Sequence, residues 1–110
     1  MTMFNEREQA FEAKYVHDAE QRFHEIGRRN QLLGVWAAEQ LGLTGPEAAD
    51  YIASIVHAEV LNADDRVVIA KVAGHMAAAG RSLSQAQLIE KMEKCLDEAR
   101  AQLQAARPPI

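Results

Sequence analysis

The chain predicts an all-α fold: a four-helix bundle with a long first helix whose N-terminal part either projects as an arm or bends back. Three observations carry this. Hydrophobic residues make up 48% of the 110 residues while aromatics reach only 5%, so packing must come from small and aliphatic side chains at helical spacing. Apolar residues recur at threes and fours rather than in alternation. Glycines, prolines and cap residues then divide the chain into four helical stretches.

The first stretch opens with Asn5 and Glu8 at capping-box spacing and continues without proline to Gln40. Gly42 stands where a C-cap glycine belongs. The second helix is expected from about Gly45 to Leu61, with Thr44 as N-cap, Pro46 in the first turn and Glu47 closing the box. Asn62, Ala63, Asp64 and Asp65 make a polar break whose carboxylates suit the positive end of the next helix dipole. That third helix runs to about Ala79, with Gly80 as its stop. For the fourth, Ser84 caps, Gln87 closes the box, and Leu83 and Leu88 take the two positions of a hydrophobic staple. It ends near Ala106, before Pro108 and Pro109.

Each later helix carries one apolar stripe: Ile52, Val56 and Val60; Val68, Val72 and Met76; Leu88, Met92, Leu96, Ala99 and Leu103. No repeat or linker interrupts them, so residues 1–110 read as a single helical domain.

The first helix is the anomaly. As one rod from Asn5 to Gln40 it is about 50 Å long at about 1.5 Å per residue, against a radius of gyration near about 13 Å for a compact domain of this size. Phe4, Phe11 and Tyr15 fall on one face, which resumes with Ile26, Leu33 and Ala37. Between them Asp18 and Arg22 occupy that face as an expected i,i+4 ion pair. Two lengths follow: residues 1–22 are a candidate arm, and from Phe23 onward the helix feeds the core of a body over residues 23–110. A few aromatics among charged residues suit a helix that docks in a partner's groove, with Phe4, Phe11 and Tyr15 as anchors. The competing reading is that these rings cap the bundle's own core.

Composition narrows the partner. A net charge of -4 provides no basic face for nucleic acid. The single cysteine, Cys95, allows neither an internal disulfide nor a thiolate metal cluster, and reads as a buried small hydrophobe. The N-terminus is charged almost at once and has no apolar signal or spanning run, so a cytoplasmic protein without membrane insertion is expected. His17, Glu20 and His24 could face one way, but no Glu-x-x-His pair accompanies them, so a solvated face is expected and no metal site. Arg28 and Arg29 could receive a phosphate or an acidic partner, and pairing with Glu25 one turn earlier explains them equally well. Trp36 with Gly34, Ala37 and Ala38 reads as a close helix crossing filled by one large side chain. No phosphate loop or activated nucleophile appears; neither a cofactor nor an enzymatic activity is expected.

The run NEREQAFEAKYVHDAEQRF, followed by RRNQLLGVWAAEQLGLTG, resembles the N-terminal half of the ATPase inhibitor zeta subunit family, small regulators of the alphaproteobacterial F-type ATP synthase. The resemblance thins to Tyr51, Val56, Ala58, Lys71, Val72, Lys91, Met92 and Ala99 farther on. This chain departs from the family pattern at Glu59, where Asp is usual, and in the Asn62 to Asp65 loop, which is more acidic and contains Gly in the family. The resemblance implies a four-helix bundle whose N-terminal segment enters a catalytic-subunit interface of the synthase head, among its alpha, beta and gamma subunits, and blocks ATP hydrolysis. The protein would then be peripheral to the inner membrane through the synthase. The partner-binding candidates are Phe4, Arg7, Phe11, Lys14, Tyr15, Asp18 and Arg22. Two other classes stay open: a non-inhibitory helical adaptor or assembly factor for this or another complex, and a bundle that binds a small molecule or nucleotide.

Overall fold

The computed structural model describes residues 2–62 and 64–106, and the side chains of 17–58 and 64–106. The described residues form four helices and no strand: α1 (Thr2–Gln40), α2 (Gly45–Asn62), α3 (Asp65–Ala78) and α4 (Gln85–Ala105). The all-α four-helix expectation holds.

Local chemistry sets the boundaries. At the end of α1, Gly42 adopts φ 72°, the Leu43 N–H donates to the Ala38 carbonyl at 2.9 Å and the Gly42 N–H to that of Glu39 at 3.1 Å. This is the paired Schellman pattern, which satisfies carbonyls the helix leaves open. Gly80 repeats it after α3, with φ 77° and the Arg81 N–H on the Met76 carbonyl at 2.8 Å. The Asp64 carboxylate caps α3 by accepting from the Arg66 N–H. In α4 the Ser84 hydroxyl accepts from the Gln87 N–H at 3.1 Å, and the Gln87 side chain accepts from the Ser84 N–H at 2.9 Å, the expected reciprocal box. One expected cap does not start a helix: α1 is already helical at Thr2, because nothing in Thr2 to Phe4 breaks it, so Asn5 lies inside the first turns.

The core is the meeting of four helix faces. Leu33 and Ala37 from α1, Ile55 from α2, Val68, Val72 and Met76 from α3, and Leu88, Met92, Cys95 and Ala99 from α4 are buried. The stripes of α3 and α4 lie as their spacing predicts, with Leu96 and Leu103 half-buried at the margin. The α2 stripe is rotated from its expected line. Ile55 and Ala58 are buried and Ile52 and Val56 half-buried, because α2 packs against both α1 and α3 and its innermost line is the one between them. Val60 lies outside the described side chains. A Cβ at Gly34 would stand 3.2 Å from the Ile52 Cα, so the absence of a side chain there lets α1 and α2 cross closely, as expected for the segment around Trp36. Trp36 packs half-buried against this core, with the Lys91 ammonium 5.3 Å from its ring centroid.

Antiparallel to α1, α4 brings Lys91 beside Trp36, Arg100 beside Glu25 and Leu103 beside His17 and His24. The whole is elongated, 64 × 29 × 24 Å with a radius of gyration of 17.7 Å, well beyond the about 13 Å of a compact domain this size. Its long dimension is that of α1, whose 39 residues span about 58 Å. No helix among the described residues is long and apolar enough to cross a membrane.

Candidate functional site: the long helix and its root

Around Glu25, polar contacts hold α1 to α4. The Arg100 Nε donates to Glu25 Oε2 at 3.2 Å, and the Gln21 amide donates to Glu25 Oε1 at 3.4 Å. Glu25 is thus taken up by α4, although its side chain is only 14% exposed. The expectation that Glu25 pairs with Arg28 and Arg29 is corrected here: Arg28 instead donates to Gln31 at 3.5 Å, and Arg29 turns inward.

Arg29 is 4% exposed and Asn30 1%. Burying a guanidinium is costly unless acceptors surround it. Arg29 Nη2 donates to Asp65 Oδ1 at 2.9 Å and Nη1 to Oδ2 at 3.3 Å, a two-pronged pair that ties α1 to the start of α3. Nε and Nη2 also donate to Asn30 Oδ1, each at 3.1 Å. A buried Arg29 is not a surface receptor for phosphate or an acidic partner. Sequence reasoning missed this link, since 36 positions separate Arg29 from Asp65. The one available signal was a second carboxylate after the cap Asp64, and helix-dipole reasoning absorbed it.

Asp18 and Arg22 are both exposed, and among the described residues no ion pair joins them. Instead they line one side of an open groove of about 770 Å³, whose other walls include Glu25, Arg29, Asp64, Asp65 and Arg100. Four carboxylates and three guanidinium groups share this space, so each long side chain has partners competing with its i,i+4 neighbour. Arg66 holds the Asp64 carboxyl below the usual carboxylate range, first through its side-chain hydrogen bond and then through its backbone N–H.

Phe23 corrects the expected start of the core. It is 67% exposed, and among the described side chains the first half-buried apolar one of α1 is Ile26. His17, Glu20 and His24 are exposed and line a shallow depression with Leu103; among the described residues no group of three His, Cys, Asp or Glu side chains is placed to share a metal ion. Phe4, Arg7, Phe11, Lys14 and Tyr15 fall within α1, while their side chains lie outside the described residues.

A family profile described as ATPase inhibitor subunit zeta matches residues 1–102. The chain belongs to this family. The matched span takes in the whole of α1, α2 and α3 and all but the last turn of α4, so zeta-family membership covers both the long first helix and the helices packed against it. Comparison with curated individual proteins gave no match.

Proposed function

We propose that this zeta-family chain is a regulatory subunit that inhibits ATP hydrolysis by the F-type ATP synthase, and that it acts by binding rather than by catalysis. Residues 1–22 are the arm, which wedges into a catalytic-subunit interface of the synthase head, and residues 23–110 are the body that carries it. The observation behind this reading is the unbroken α1, Thr2–Gln40, in a chain of the inhibitor family: among the described side chains Leu103, on the last turn of α4, lies beside His17, and about 22 Å of α1 precedes His17.

Magnitudes favour the aromatics as the grip. To turn a conformational equilibrium from 1:99 to 99:1, a ligand must prefer one state by about 5.5 kcal/mol. Phe4, Phe11 and Tyr15, fully buried against one state, supply about 1.5 to 3 kcal/mol each. Exposed charge pairs made by Arg7, Lys14, Asp18 or Arg22 contribute about 1 kcal/mol or less each. The rings can therefore bias a rotary cycle toward a state that holds the arm, with the charges setting register, and no chemistry is required of the inhibitor.

The test is a titration of the cognate synthase head with the full-length chain while ATP hydrolysis is followed. Inhibition should rise to a plateau. Unchanged hydrolysis with the chain demonstrably bound would overturn the inhibitory reading in favour of the adaptor.

A further inference from the structure

Among the described residues Phe23 is the aromatic left mostly in water. Its ring meets His24 edge-on with centroids 5.9 Å apart, and together with Arg28 and Leu103 it borders a shallow depression of about 240 Å³ on the seam between α1 and α4. A single exposed apolar side chain is ordinary on a protein surface; its position is what distinguishes this one. Because α1 is unbroken from Thr2 to Gln40, Phe23 is fixed on the same rod as the arm. It lies about 12 Å along the axis from Tyr15 and about 100° around it from the line of Phe4, Phe11 and Tyr15. A simple groove covers one face of a helix, whereas a cleft between two subunits closes on two.

We propose that Phe23, with Leu103 beside it, is a second anchor for the partner that takes the arm, seated against the other wall of the cleft. The grip then extends past the arm onto the shoulder of the bundle. This rests on the reading that the arm enters the synthase head. An exposed ring makes few contacts in the free chain, so its removal separates binding from folding more cleanly than a core substitution does.

The experiment uses the full-length chain and its Phe23→Ala and Phe23→Asp variants, with direct binding to the isolated cognate head measured beside ATP hydrolysis. Both variants should melt as the parent does, and Phe23→Ala should raise Kd tenfold or more, with Phe23→Asp weaker still. Parental affinity in both variants, with loss of affinity on Phe11→Ala, overturns the shoulder contact and leaves the arm reading standing. If the parent binds without slowing hydrolysis and Phe23→Ala loosens it, the shoulder contact stands and the inhibitory reading falls. A parent chain that does not bind the head overturns both.

Discussion

Arg29 and Phe23 lie less than two turns apart on one helix, and the fold buries the charge and exposes the ring. Hydrophobicity alone predicts the reverse. Arg29 goes in because Asp65 and Asn30 supply acceptors in the right places, and Phe23 stays out because it stands at the edge of the seam with α4, bordering a shallow depression beside Leu103 and not packed beneath it. The same attention to partners gives a titration prediction at Asp64. Arg66 stabilises its ionised form in the fold, so its folded pKa lies below the unfolded value. The stability this contributes is complete above the ordinary carboxylate range and is lost as pH falls through the depressed folded value. Following the Asp64 carboxyl by NMR should give a midpoint below that of an ordinary aspartate, rising in Arg66→Ala; equal midpoints would show the pair has no thermodynamic weight. At Phe11 the expectation concerns binding. Phe11→Ala should weaken binding to the synthase head about tenfold or more, as loss of a hot-spot aromatic costs over about 1.4 kcal/mol, while the melting temperature of the free chain hardly moves. Calorimetric melting beside a binding isotherm checks both halves, and destabilisation by several kcal/mol with affinity intact would make the ring part of the core.

Apart from Asn5, which lies inside α1, helix starts and stops are where sequence reading does best, because caps are local. Ser84 with Gln87, Asp64 before α3, and Gly42 and Gly80 at their C-termini each need only a few neighbouring residues to be recognised. Rotation of a helix about its axis is less legible: Ile55 rather than Ile52 or Val56 faces inward, since α2 answers to two neighbours at once. Contacts between distant elements are less legible still: Glu25 with Arg100 leaves no local trace, and Arg29 with Asp65 leaves only the second carboxylate after the cap Asp64. The α1–α2 crossing offers a test at this scale. A methyl group at Gly34 would be tight against the Ile52 backbone, with some compensation from better helix propensity. Gly34→Val adds bulk that the crossing cannot absorb and should cost about 1 to 3 kcal/mol in chemical denaturation; an unchanged midpoint would mean the two helices can part freely. Truncation tests the root. A chain starting at His17 keeps every described contact between α1 and α4, whereas one starting at Arg22 loses the Gln21 bond to Glu25 and part of the cover over Leu103. Both should retain most of their helicity and a cooperative melt, the second at somewhat lower temperature; loss of cooperativity would make the arm part of the core.

For the whole molecule, the radius of gyration of 17.7 Å is the number that separates this chain from a closed bundle of its length. A helix too long for its domain has to bend back or project, and α1 runs as one helix along the 64 Å axis. The bundle around Leu33, Ile55, Val72 and Met92 is tied to α1 by Glu25–Arg100 and Arg29–Asp65, and on the proposed reading it is the handle of the arm. On that reading, inhibition belongs to the arm and folding to the body. The most direct measurement compares ATP hydrolysis by the cognate synthase head at saturating full-length chain and at the same concentration of the chain starting at His17. The account predicts inhibition by the first and hydrolysis at the uninhibited rate with the second, both chains being folded by circular dichroism. Equal inhibition by the two would contradict it, placing the inhibitory surface on the bundle and not on the arm.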